Sequence, residues 1–170
     1  EDLSLVPACL AGCGVGTGWG SAVNSAEVTP GDTVIVMGVG GIGIHAVQGA
    51  RHAGASHIIA VDPVELKREM AGKVGATAAF GDMDAATEYA RSLTNGQGAD
   101  AAIVCTGVLE SEHVNQAMAS IRKAGTVVVT GLGNMETELG VNARELTLFQ
   151  KRIQGSVFGA SNPTADIPLM

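Results

Sequence analysis

Aromatic side chains are scarce in this chain: one Trp, one Tyr and three Phe among 170 residues. A core without them must be built from Val, Ile, Leu and Ala, which suits a parallel sheet buried on both faces. Cysteine is also sparse. Cys9, Cys13 and Cys105 do not read as a disulfide framework, so a reducing cytoplasm is the expected compartment. Positive charge is short, with ten Lys and Arg against seventeen Asp and Glu and a net charge of −7. That balance argues against nucleic acid or an anionic membrane surface as partner. No apolar run is long enough to span a bilayer, and no basic-then-apolar leader opens the chain. The length suits one domain with a substantial core.

Glycine, by contrast, is abundant, with 24 residues. Val34-Ile35-Val36-Met37 is an apolar, β-branched run that meets Gly38-Val39-Gly40-Gly41-Ile42-Gly43, and a helical pattern follows. A strand, a tight turn and a helix start are expected there. Gly38, Gly40 and Gly43 have the G-x-G-x-x-G spacing that a dinucleotide needs. The first allows the sharp turn, the second lets pyrophosphate approach the backbone, and the third lets helix and strand pack closely. The helix N-terminus then offers N–H groups to the phosphates. His57 to Asp62 reads as a second strand ending in an acid, 19 positions after Gly43. A carboxylate there can accept hydrogen bonds from ribose hydroxyls and would repel a 2′-phosphate, so NAD is favoured over NADP. The plainer reading is a βαβ unit in which Asp62 caps the next helix.

From residue 33 the pattern alternates. Helices are expected at Ile42–His52, Val64–Val74, Met83–Thr94, Ser111–Ile121 and Ala143–Phe149. Strands are expected at 33–37, 57–61, Ala76–Phe80, Asp100–Cys105, Thr126–Thr130 and Arg152–Phe158. Six strands with helical crossovers imply an α/β fold, a doubly wound parallel sheet with helices on both faces. The expected order is 3-2-1-4-5-6, with ligand at the switch point between strands 1 and 4. The sixth strand would be an apolar edge, and pairing with a second copy would cover it.

Residues 1–29 do not fit this alternation. Leu3 to Leu10 and Trp19 to Val28 have helical character, and Gly12-Cys13-Gly14-Val15-Gly16-Thr17-Gly18 lies between them. So much glycine lets backbone approach a ligand or another segment closely, unless it is a flexible connector. Residues 30–160 form the expected dinucleotide-binding domain, and 161–170 look like a helix just starting. Both ends look cut, as in a domain from a longer protein.

Over essentially its whole length the chain resembles the cofactor-binding (Rossmann) domain of zinc-dependent, medium-chain alcohol dehydrogenases. The resemblance rests on Gly12 to Val23, the Gly38 to Gly43 turn, Val61-Asp62 with Lys67, and Gly155-Ser156-Val157-Phe158-Gly159. It looks most like an actinobacterial-type branch that includes nicotinoprotein alcohol dehydrogenases. The resemblance implies that Cys13 is one ligand of a catalytic zinc whose other ligands lie in a GroES-like domain outside this chain. Zinc would therefore belong to the full-length parent. It also implies that Thr17 packs against the nicotinamide. Val39, Gly40, Gly41 and Ile42 would hold pyrophosphate, and Asp62 and Lys67 would hold the adenosine ribose. Thr106-Gly107 and Leu132-Gly133 would flank adenosine and carboxamide, and Phe158 would lie near the nicotinamide end. Thr106 stands where relatives often have an apolar residue.

The implied reaction is reversible oxidation of an alcohol to an aldehyde, with this chain alone inactive. The implied assembly is a homodimer through residues 152–158. His45, His52, His57 and His113 read as structural or solvent-facing, since none has an evident partner. A self-standing NAD-sensing module would explain the glycine turn but not the glycine-cysteine segment before it. A zinc-free medium-chain reductase would lack Cys13 and prefer NADPH, so Cys13 and Asp62 both oppose it.

Overall fold

The computed structural model describes residues 4–5, 9, 11–134 and 136–170, with the side chain of Leu169 excepted. The helix expected over Leu3 to Leu10 falls largely outside the described residues. In chain order the elements are α1 (Gly14–Gly20), a π-helical turn (Ser21–Ser25), β1 (Thr33–Met37), α2 (Gly43–His52), β2 (His57–Val61) and α3 (Glu65–Val74). There follow β3 (Ala78–Phe80), α4 (Met83–Leu93), β4 (Ala99–Val104), α5 (Ser111–Ser120), β5 (Ile121–Val129), α6 (Ala143–Thr147), β6 (Arg152–Gly155) and α7 (Pro163–Asp166).

The strands form one six-stranded sheet in the order β3-β2-β1-β4-β5-β6, and every pair is parallel. That is the expected doubly wound topology. The right-handed crossovers of such units put helices on both faces, and the strand side chains alternate to match. On one face Ile35, Ile59, Ala102, Val104 and Val127 pack with Met83, Ala86 and Ala90 of α4 and Val114, Ala117 and Met118 of α5. On the other, Val34, Val36, Ile58, Ala60 and Ile103 pack with Ala46, Val47 and Ala50 of α2 and Ala71 of α3. Each fully buried Val or Ile contributes about 1.5–3 kcal/mol. Ile35 is fully buried beside both Ile59 and Ala102, so Ile35→Ala would cost about 2–5 kcal/mol.

Local signals set the helix ends. Asp82 Oδ1 accepts from the Ala85 N–H at 2.9 Å and starts α4. Gly75 closes α3 at φ +133, a value a side chain would resist.

Several boundaries differ from the sequence expectation, four of them with a clear physical cause. The glycine run is not a break between helices: α1 passes through it. A Cβ on Gly18 would collide with the Ile42 carbonyl, and one on Gly49 would come within 2.6 Å of the Trp19 carbonyl. Glycine thus lets α1 lie directly on α2. The strand expected from Ala76 starts at Ala78, because the Ala76 N–H still donates to Ala71 O at the end of α3. β5 begins at Ile121 with a register shift before Thr126, and Ala124 at φ +59 marks the irregularity. β6 stops at Gly155 rather than Phe158. Phe158, Gly159 and Ala160 have φ of 50, 66 and 49°, which turns the chain back onto α1. There Ser156 Oγ lies 2.9 Å from both Ser21 Oγ and Ser25 Oγ. Among the described residues no helix is long and apolar enough to cross a membrane.

Candidate functional site

The carboxyl ends of β1, β2, β4 and β5 surround a cleft of about 830 Å³. Gly38 leaves β1 at φ +83, and a Cβ on it would stand 3.0 Å from Cys105 O. Gly43, in the first turn of α2, has no space for a side chain because the Gly38 carbonyl occupies it. Gly40 and Gly41 are different: nothing lies within 4 Å of their Cβ positions. Their bareness leaves backbone open to the cleft, beside the N–H groups of a ten-residue helix with no acidic residue in its first turn.

Asp62 closes the other side. It is buried, at 3% exposure. Its Oδ2 accepts from the Val39 N–H at 3.1 Å and lies 3.4 Å from Lys67 Nζ, while Oδ1 accepts from the Val64 N–H at 3.0 Å. The carboxylate therefore ties the glycine turn to the start of α3. The plainer reading of Asp62 as the cap of α3 does not hold, since the N-cap is Val64 with no side-chain cap bond and Asp62 accepts instead from the Val64 N–H before the helix. Arg68 Nη1 donates to Asp62 O at 2.7 Å and fixes the backbone behind it.

The far wall comes from the ends of β4 and β5. Thr130 Oγ1 donates to Val104 O at 2.9 Å. Among the described residues the buried Thr106 Oγ1 has no hydrogen-bond partner. An unpaired buried hydroxyl is costly, and this one stands on the wall of the cleft. Burial pushes the Cys105 thiol from 9.0 up to about 11, partly offset by the neighbouring Thr130 hydroxyl. It is a protonated, inert group at neutral pH.

Gly38, Gly40, Gly41, Ile42, Asp62, Lys67, Thr106, Gly107 and Leu132 all line this cleft. Val39 and Gly43 lie buried beneath the turn. Gly133 is not on the wall, and the Thr137 side chain crowds its Cβ position at 2.5 Å. Cys13, Thr17 and Phe158 line a second, apolar pocket of about 150 Å³ with Ile167 and Met170. There Cys13 Sγ lies 3.8 Å from Thr17 Oγ1, with Cys13 exposed and Thr17 buried. Among the described residues no three His, Cys, Asp or Glu side chains gather as a metal site.

Sequence reasoning passed over several lining residues. Gly14, Pro63, Thr130 and Gly131 border the cleft, and their positions at strand ends or in the glycine run were the available signal. His45 and His113 also border it. His113 Nδ1 accepts from the Glu110 N–H at 3.1 Å and starts α5, and that local task orients it. His52 keeps a structural role, with its ring 5.4 Å from that of Trp19.

Sheet order, glycine turn, acid after β2 and a cleft at the switch point together define a doubly wound α/β domain of the dinucleotide-binding class. The family model for zinc-binding dehydrogenases matches residues 41–170, and the chain belongs to that family. An NDMA-dependent alcohol dehydrogenase of Amycolatopsis methanolica is 49% identical over 97% of this chain and 45% of its own length. The benzyl alcohol dehydrogenase structure from Acinetobacter calcoaceticus superposes with TM-score 0.88 at 31% identity, covering 99% of this chain and 46% of that one. A Sinorhizobium meliloti 1021 structure of the zinc-binding dehydrogenase type, bound to NADP, matches with TM-score 0.73 at 29% identity over 85% of this chain and 43% of its own. The chain thus spans less than half the length of these relatives.

Proposed function

We propose that this chain is the NAD-binding part of a zinc-dependent alcohol dehydrogenase that interconverts an alcohol and an aldehyde. The observation that carries the reading is the pairing of a buried carboxylate, Asp62, with the open Gly40-Gly41 backbone across one cleft. The glycine turn and the α2 N-terminus receive pyrophosphate, and Asp62 and Lys67 receive the adenosine ribose. Thr106, Gly107 and Leu132 flank the adenosine and carboxamide ends, with Gly133 next in the chain but off the wall. The orphaned Thr106 hydroxyl fits a bound polar group, since a ligand atom would give it the partner the protein does not.

The chemistry supplied by such a cofactor is reversible hydride exchange with the alcohol carbon, and by zinc, polarisation of the alcohol oxygen. Thr17 and Phe158 line the separate apolar pocket, which would hold the nicotinamide ring away from water. Cys13 presents one exposed thiol at that end, a suitable zinc ligand. One donor does not make a metal site, so the remaining ligands come from residues outside this chain. The exposed Cys13 favours this reading over a zinc-free reductase.

The edge strand β6, followed by Val157 at 77% exposure, supports a homodimer in which two sheets join. An acidic net charge speaks against nucleic acid and anionic membranes as partners. The sparse cysteine of the sequence, three residues, accords with a cytoplasmic setting.

Fluorescence titration with NADH and with NADPH tests the cofactor assignment. Saturable NADH binding, with NADPH at least roughly ten-fold weaker, is expected from one carboxylate facing a 2′-phosphate. Equal or tighter NADPH binding, as the S. meliloti relative's ligand makes a fair alternative, would overturn the NAD assignment. No binding of either would overturn the site.

A further inference from the structure

The sheet's opposite end carries a second concave site unrelated to the glycine turn. It is a cavity of about 380 Å³ at the amino ends of β4 and β5, with Arg91, Gln97, Lys123, Phe149 and Lys151 on its walls. The Phe149 ring is ringed by cations: Lys123 Nζ stands 5.3 Å from its centroid, Arg144 Cζ 5.0 Å and Lys151 Nζ 5.9 Å. Lys151 is buried, donates to Met118 O at 2.6 Å, and is paired with Glu145 Oε2 at 2.6 Å. Glu145 also borders the cavity, and its charge is balanced by Lys151. Arg91 Nη2 donates to Ala119 O at 3.1 Å. Among the described residues Arg91, Lys123 and Arg144 have no carboxylate partner within ion-pair distance.

Two uncompensated cations, Arg91 and Lys123, therefore line one cavity in a chain of net charge −7, and a third, Arg144, stacks on the Phe149 ring beside it. Dispersing them over the acidic surface would lower the electrostatic free energy, whereas an anion held between them reverses the sign of that term. We propose that this cavity binds a small phosphate-type oxyanion, either free phosphate or the phosphoryl group of a metabolite. Lys151, its charge met by Glu145 and its ammonium held by Met118 O, fixes the back wall. Lys123 and Arg91 close on the anion from the rim, beside Gln97. Phe149 holds the cations apart and supplies an apolar floor. A concave cavity of this size fits a small molecule better than the flat surface that a protein partner would use.

The test is an amide NMR titration of the ¹⁵N-labelled 170-residue chain with inorganic phosphate at fixed ionic strength, repeated with a phosphomonoester. Saturable shifts at the Gly96, Gln97 and Lys123 amides are expected, and the phosphomonoester arm tells a phosphoryl ligand from free phosphate. Lys123→Gln and Arg91→Gln alter exposed side chains and should each weaken the response roughly five-fold, as loss of one charge-assisted contact does, with the rest of the spectrum unchanged. Shifts confined to Gly40 and Gly41 would place the anion in the cofactor cleft and overturn the proposal. So would a linear, unsaturable response, or saturation unaffected by both variants. Binding of a poly-glutamate peptide where phosphate gives no saturable shift would also overturn it and mark a protein-docking surface.

Discussion

Replacing Asp62 by Ala removes the acceptor for three donors, and their exposures decide the cost. The Val39 N–H, bonded at 3.1 Å, belongs to a residue that is 3% exposed. Left without a partner, it costs about 1–3 kcal/mol. Val64 is exposed, so water can replace the carboxylate at its N–H with little loss. The Lys67 side chain is 46% exposed and its ion pair is long, at 3.4 Å, so its loss costs about 0–1 kcal/mol. The sum is about 2 kcal/mol, dominated by Val39. For a chain of this length that lowers Tm by roughly 4–8 °C. Asp62→Asn keeps one acceptor oxygen but turns an NH₂ group toward Val39 or Val64, so a smaller loss is expected. Thermal unfolding followed by circular dichroism reads both variants, and NADH titration reads the ligand side. Loss of charged acceptors for ribose hydroxyls should weaken NADH at least about ten-fold in either variant. A Tm within 1 °C of wild type in Asp62→Ala, with unchanged NADH affinity, would refute the structural and ligand roles together.

Gly18→Ala should destabilise by about 1–3 kcal/mol or more through its clash with the Ile42 carbonyl. Gly16→Ala in the same helix has nothing within 4 Å and should be neutral or gain up to about 1 kcal/mol; equal Tm values for the two would refute the packing argument. The Cys105 thiol, held near 11 against its ordinary 9.0, keeps its proton longer folded than unfolded. Its contribution is thus present below pH 9 and lost as the pH rises through 11. Relative to Cys105→Ser, wild type should lose at most about 3 kcal/mol over that window, measured by urea unfolding at stepped pH, and iodoacetamide at pH near 8 should label exposed Cys13 before Cys105. Val157→Asp, at the exposed end of the β6 edge, should shift a dimer toward monomer in sedimentation velocity; a monomeric wild type at micromolar concentration would end the edge-pairing proposal.

The sheet was legible because its signal is redundant. Six apolar runs, each separated by a helix-length crossover, allow few arrangements; β1, β2 and β4 sit within a residue of where the pattern puts them, while β3 starts two residues later and β5 five residues earlier. The cleft followed from topology, since strand order alone decides which carboxyl ends meet. The failures share a cause. Sequence shows that a glycine is present but not which atom takes the place of its side chain. Gly38 is used for its φ of +83, Gly18 for the Ile42 carbonyl packed against it, and Gly40 for empty space facing the cleft. Those are three different physical demands met by one residue type, so the run from Gly12 to Gly18 could be read as linker, ligand contact or helix seam.

The same limit hid the cationic cavity. Arg91, Lys123, Arg144 and Lys151 are spread over 60 positions of chain and lie in four different elements or loops. Each taken alone reads as a solvated surface charge, which is the ordinary state of Lys and Arg. Only the fold, by ending α4 and starting β5 and β6 at one rim, brings them to a common ring. Charge convergence is therefore a tertiary property, while strand periodicity is a local one. It follows that Phe149→Leu should separate the two. It keeps apolar volume and leaves the sheet's strand pairing intact, but removes the quadrupole that holds Lys123 and Arg144 over the ring. Far-ultraviolet circular dichroism should be unchanged, while phosphate affinity at this rim falls. A phosphate affinity that survives the loss of the ring would mean that Lys151 and Arg91 suffice and that Phe149 organises nothing.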